Sequence, residues 1–240
     1  MIDLMEVYMQ ILEHWQRVCE RHAGGIFAEP LNVLSNIGFL YVSHAIYCYY
    51  KRNEDIGRRK IYDIQVMTLL IFIIGVNSIL FHMFPSSITE LMDTLPIVLF
   101  ILIYFISVII RIGRCNLFQT AICAIAFVGF SHTLVSQFPR ALNDSMGYLS
   151  SMMALIGIAI YLHLRARPSS QYFMLASIIG VVSLFCRAID KAICDIWPYG
   201  THFIWHSLNA LLLYILMKQI IRNVNRDARL KRLAGDSSQI

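Results

Sequence analysis

Seven runs of apolar side chains, near residues 32–50, 61–84, 91–110, 117–136, 146–164, 171–189 and 202–221, alternate with short polar connections. Each is close to the ~20 residues that cross a ~30 Å hydrocarbon core. No water in that core can satisfy exposed backbone groups, so continuous runs of this length must be helical. The pattern predicts an all-α integral membrane protein with seven transmembrane helices. No period of 20 to 50 residues interrupts it, so one seven-helix unit over 32–222 is expected between two small ends. The first end, 1–31, mixes apolar residues with Glu6, Glu13 and Glu20 and has a Gly24-Gly25 turn, which fits an interfacial segment. The second, 223–240, is basic and then small and polar, and is expected to fray from a helix into a disordered tail.

Composition agrees with the pattern. Of 240 residues 58% are hydrophobic and 15% charged, with a mean hydropathy of +0.61, whereas an ordinary soluble domain is about 25% charged. Charge adds orientation, because short cytoplasmic loops hold the excess of Lys and Arg. Of the 20 basic residues, only Arg17, Arg21, Arg140, Arg187 and Lys191 fall on one side of the seven runs. The N-terminus is therefore expected outside and the C-terminus in the cytoplasm. The net charge of +5 sits in loops and tail that face an anionic leaflet, with no basic stripe interleaved with exposed aromatics, so a nucleic-acid partner is excluded. The opening residues carry acids and no early Lys or Arg, and no small-residue cleavage pattern follows, so no cleaved leader is expected. The six cysteines form no C-x-x-C pair; Cys19, Cys186 and Cys194 all lie toward the outer face, which leaves room for a disulfide among them.

Ionisable residues inside spans are costly, so each is a functional candidate. In the predicted topology "NSILFHMF" closes the second run outside, "ELMDTLP" opens the third and "GTHFIWH" opens the seventh. His82, Asp93, His202 and His206 then share one depth. His202 and His206 are four apart and so on one helix face, as are Ser78 and His82. Three neutral imidazoles from two helices suit a catalytic zinc, which keeps a further position open for water. Two plainer readings stand beside this one: Asp93 as a helix cap, and Ser78 as a small residue for close helix packing. His44, His132 and His163 are read as hydrogen-bonded packing residues, and Asp190 as a structural partner of Arg187.

The segments "CERHAGGIFAEPLNVLSNIGFL", "NSILFHMFPSSITELMDTLPIVLF" and "FCRAIDKAICDIWPYGTHFIWHSLNALLLY" resemble the three conserved blocks of the alkaline ceramidase family, most closely its bacterial membrane members. The resemblance implies a seven-helix hydrolase with zinc bound by His82, His202 and His206, and with Ser78 and Asp93 as catalytic partners. Asp93 would serve as general base and Ser78 as a hydroxyl donor to the oxyanion. The implied reaction is hydrolysis of the N-acyl bond of ceramide or a related long-chain N-acyl lipid to a fatty acid and an amine. The implied setting is a bacterial inner membrane, with the site toward the outer face and the bilayer and its lipids as partners. Eukaryotic members also carry an amino-terminal calcium site. Here Glu20, Glu29 and Asn32 remain, but Arg17, Arg21 and His22 stand where acidic or amide ligands are expected, which puts calcium in doubt. Two rivals are a seven-span zinc receptor that senses lipid without hydrolysis, and a transporter, which lacks support from paired repeats or broken mid-membrane helices.

Overall fold

The structure, a computed structural model, describes residues 18–21, 25–53 and 61–236, with 231–236 as backbone only. Its helices are α1 (Pro30–Ser35), α2 (Ile37–Arg52), α3 (Tyr62–Met83), α4 (Ser87–Arg111), α5 (Leu117–Gln137), α6 (Met146–Leu164), α7 (Ser170–Ile189) and α8 (His202–Asp236), with a 3-10 turn at Asp190–Ile193 before α8. No strand occurs among the described residues. Among the described residues six helices, α3 to α8, are long and apolar enough to cross a membrane. The expected interfacial segment at 1–31 falls mostly outside the described residues.

The first expected span, 32–50, is split. The Asn36 amide Nδ2 donates to the Asn32 carbonyl at 2.8 Å, and the Asn36 N–H turns to Val33 O at 3.3 Å. A side chain that competes for the helical acceptor in this way ends α1 after six residues. Asn36 still keeps helical torsions, φ −70° and ψ −18°, so α2 continues directly for 16 residues. The other end of the chain departs in the opposite sense. The tail expected to fray from residue 223 is helical through Asp236.

Two helix starts are written in short polar motifs. Ser86 Oγ accepts from Thr89 N at 3.1 Å while Thr89 Oγ1 accepts from Ser86 N at 2.9 Å. Asn116 and Gln119 cap α5 reciprocally in the same way. Pro96 sits inside α4. It has no N–H to give the carbonyl four residues back, at Met92. Asn77 of α3 supplies the missing donor, its Nδ2 reaching Met92 O at 2.7 Å, so α3 and α4 are stitched together next to Ser78 and Asp93.

Ile46, Ile64, Met67, Ile71, Phe173, Met217, Ile220 and Ile221 are fully buried in one core that joins α2, α3, α7 and α8. Half of α8's apolar window is buried against other helices, against 6% for α5. Close approach of α2 to α3 depends on Gly75, where an added Cβ would lie 2.8 Å from Leu40 Cδ2 and 3.0 Å from Phe39 Cβ.

The end where α3 finishes and α8 begins is tied covalently by a Cys19–Cys194 disulfide, Cα–Cα 5.2 Å; Cys186 is free and buried. Beside it Asp190, expected to pair with Arg187, does something else. Its Oδ1 accepts from Thr201 N at 2.6 Å and His202 N at 2.9 Å, and its Oδ2 from Cys19 N at 3.0 Å. The orphan amides at the start of α8 outcompete the guanidinium for this carboxylate. Gly200, at φ +63°, passes so close that a Cβ there would strike Asp190 Oδ1 and Cys19 Cβ. At the opposite end Arg111 Nη2 grips both Asp63 oxygens at 2.7 Å, and Ser107 Oγ adds a bond to Asp63 at 2.7 Å.

Candidate metal centre

The last turn of α3 and the first two of α8 lie side by side at the disulfide end. They bring His82, His202 and His206, 1%, 6% and 1% exposed, into one cluster whose ligand nitrogens all lie within 4.8 Å of one another. His82 Nε2 and His206 Nε2 are 3.3 Å apart. The three rings meet edge to face with centroids 4.6 to 5.3 Å apart.

The outer nitrogens are held. His82 Nδ1 hydrogen-bonds Glu29 Oε2. The Ser35 hydroxyl donates to Asn32 O at 2.9 Å, so toward His206 Nδ1, also 2.9 Å away, it acts as acceptor. Asn36 Nδ2 stands farther from that nitrogen, at 3.2 Å. Both arrangements put the ring proton on Nδ1 and the free lone pair on Nε2, facing the centre of the cluster. His202 Nδ1 is enclosed without any hydrogen-bond partner. A buried orphan nitrogen costs about 1–3 kcal/mol, and a cation at the centre of the cluster would relieve such a cost. Three buried imidazoles, two of them with secured outer nitrogens, fit zinc better than a hard, oxygen-seeking ion.

Asp93 is not a helix cap. Ser86 caps α4, and Asp93 lies seven residues later, in the second turn. Its Oδ1 is enclosed and unpartnered, and its carboxylate interacts with the Ser78 hydroxyl and lies within electrostatic reach of His82. Ser78 is 3% exposed. The sequence candidates His82, His202, His206, Ser78 and Asp93 therefore converge.

Glu20 and Glu29, weighed as calcium ligands, are bonded here by protein donors. Glu20 accepts from Leu31 N at 2.6 Å and Asn32 N at 2.9 Å, capping α1; burial nonetheless pushes its carboxyl above the usual range. Glu29 holds His82 through one oxygen and Arg21 Nε through the other, and Asn32 Nδ2 adds a bond at 3.0 Å. Burial disfavours the Glu29 charge, but His82 and Arg21 outweigh it and keep the carboxyl below its usual range. Arg21 closes the ring with a bond from Nη2 to His82 O at 2.7 Å. The oxygens of both carboxylates are thus committed to protein donors.

Sequence reasoning missed four residues. Ser35 and Asn36 reach His206 from a helix break that hydropathy cannot show. Asn77 acts through a carbonyl freed by Pro96, a signal readable from the proline alone. Arg187 bonds Ser145 Oγ at 2.9 Å and lies over the rings of Trp205 and Tyr148, at 4.6 and 5.3 Å, where its charge reaches Asp93. From Trp205 and Tyr148 an apolar cavity of about 110 Å³ runs between α4, α5, α6 and α8 past Phe105 and Phe127 toward Tyr104 and Leu216. Trp205 and Leu216 are three turns apart on α8, roughly 16 Å along its axis.

The family model described as Ceramidase matches residues 19–232 of this chain. No curated protein matches it significantly.

Proposed function

The chain belongs to the ceramidase family, and from that premise we propose that it is a zinc-dependent membrane amidohydrolase that cleaves ceramide or a related long-chain N-acyl lipid to a fatty acid and an amine. The observation that carries this reading is the cluster of three buried histidines with ligand nitrogens within 4.8 Å, beside a carboxylate whose Oδ1 has no partner. His82, His202 and His206 would hold the zinc, which when bound supplies Lewis acidity toward the amide carbonyl and acidifies water. Asp93 takes the proton from the attacking water and passes it to the nitrogen of the breaking C–N bond, so the amine leaves neutral. Ser78 turns its hydroxyl from Asp93 to the oxygen that becomes negative as water adds. The acyl chain occupies the apolar cavity below Trp205. Arg187, which lies over the Trp205 and Tyr148 rings at the head of that cavity, would attract the carboxylate product.

The same reading includes seven spans, with α1 and α2 together forming the first, the N-terminal side outside and the C-terminus in the cytoplasm of a bacterial inner membrane. The disulfide at the histidine end supports that orientation, because disulfides persist on the oxidising side of such a membrane. Incubation of zinc-replete protein with a panel of N-acyl lipids, followed by mass spectrometry of released fatty acid and amine, tests the reaction. Release of both in equal amounts is expected. Retained zinc without release from any lipid would turn the reading toward a lipid sensor.

A further inference from the structure

The end of the bundle farthest from the histidines holds a second polar pocket that the hydrolytic site does not use. It is a cavity of about 20 Å³ lined by Arg111, Arg114, Arg167, Ser169, Asn223, Arg226 and Asp227, where the end of α4, the start of α7 and the middle of α8 meet. Its floor is buried: Ser169 is 6% exposed and Asn223 9%. Asn223 Nδ2 is enclosed and has no acceptor. Ser169 precedes the 20-residue helix α7 without capping it through its side chain, so its hydroxyl is left available beside the positive end of the α7 dipole. Arg111 is already matched by Asp63. Arg114, Arg167 and Arg226 form no ion pair among the described residues, and they face one carboxylate, Asp227.

We propose that this pocket binds a phosphoryl anion, and that its occupant is the phosphate headgroup of an anionic membrane lipid. A buried amide donor without an acceptor calls for an acceptor atom from outside the chain. A helix N-terminus and three arginine forks call for a doubly charged, multi-oxygen one. The cavity seats a phosphoryl oxygen or two on its floor, and the arginines at the rim take the others. A lipid is favoured over a soluble phosphate because the pocket opens where the membrane-length helices α4 and α7 end and α8 has run about 20 residues, the length of one span, from the histidines, at the level where headgroups lie. A phosphomonoester with two charges should bind better than a zwitterionic phosphocholine, whose own cation the arginines repel.

The test uses full-length protein in detergent micelles and native mass spectrometry, with phosphatidic acid and phosphatidylcholine of the same acyl chains as probes. The protein should retain phosphatidic acid at least tenfold better than phosphatidylcholine. The Arg167→Gln/Arg226→Gln variant, changed only at exposed side chains, should lose most of that preference. Asn223→Leu should lose it too, although it alters no charge. Arg229→Gln, outside the pocket, should keep it. Inorganic phosphate at millimolar levels should compete. If phosphate binds in the same pocket and the lipid does not, the anion site stands but the lipid is overturned as its source. Equal retention of the two lipids, full retention by the double variant, or an equal loss in Arg229→Gln would overturn the site.

Discussion

At the histidine end of the bundle the polar groups are buried and turned inward: the three imidazoles are at most 6% exposed, and the outer nitrogens of His82 and His206 are fixed by Glu29 and Ser35. At the arginine end Arg114, Arg167 and Arg226 are exposed and only the pocket floor is buried. Burying polar groups is costly unless each is partnered. The first end meets part of that cost with hydrogen bonds to the outer nitrogens of His82 and His206, and leaves the nitrogens that face the cluster and His202 Nδ1 unmatched. The second avoids it by leaving its charges in water. A preorganised site for a resident cation looks like the first, and a surface that gathers anions looks like the second.

The largest effect should come from breaking the inner ring. Replacing His206 by Ala removes one of the three proposed ligands and leaves Ser35 and Asn36 facing a hole. Zinc content, measured after purification without a histidine tag, should fall below a tenth of the parental value, and hydrolysis should vanish with it. Zinc retained at full occupancy in the His82, His202, His206 triple alanine variant would defeat the metal assignment. Next in size is Asp93→Asn. It should preserve shape and zinc while removing the proposed proton carrier, so turnover should fall on the order of a hundredfold to ten-thousandfold. Metal analysis and a released-fatty-acid assay on the same sample separate this from the loss of zinc.

Much of this contrast can be read without coordinates. Helix period, run length and the placement of Lys and Arg give the membrane class and the depth shared by His82, Asp93, His202 and His206. The pairs four apart give their faces. What escapes is whatever depends on backbone hydrogen bonding rather than on hydropathy. Asn36 breaks a helix by bonding Asn32 O, so the 32–50 run looks continuous but is not. Asp190 looks like a partner for Arg187 by proximity in sequence, yet it is drawn to the amides that open α8. That Glu29 bonds His82 and Arg21 likewise depends on a tertiary contact that hydropathy does not carry.

A smaller effect tests how the histidine end is aligned. Asn77→Leu should leave the Met92 carbonyl without a donor, since Pro96 cannot supply one. The unpaired group costs about 1–3 kcal/mol of stability, and the α4 turn that carries Asp93 should shift away from Ser78. Turnover should fall roughly tenfold, equivalent to about 1.4 kcal/mol in the barrier, with zinc unchanged. Pro96→Ala restores an N–H at the position that faces Met92 O. The double variant should therefore recover most of the loss seen in Asn77→Leu, and thermal unfolding should show the same recovery. A double variant no better than Asn77→Leu would mean that Asn77 acts by some route other than this carbonyl.

The smallest effect belongs to the arginine end. Asp63 and Arg111 are 28% and 29% exposed, so the pair is solvated, and removing it should cost on the order of 1 kcal/mol. Asp63→Asn should lower the unfolding temperature by a few degrees at most. It lies at the start of α3 and His82 at the other end, about 28 Å along the axis, so zinc content and turnover should match the parent. The variant also sharpens the contrast between the ends, because it frees Arg111 within the pocket that it lines. An added uncompensated cation there should strengthen retention of phosphatidic acid while leaving phosphatidylcholine unchanged. Loss of zinc or of turnover in Asp63→Asn would show instead that the two ends are mechanically coupled through α3, and that the arginine end does more than gather anions.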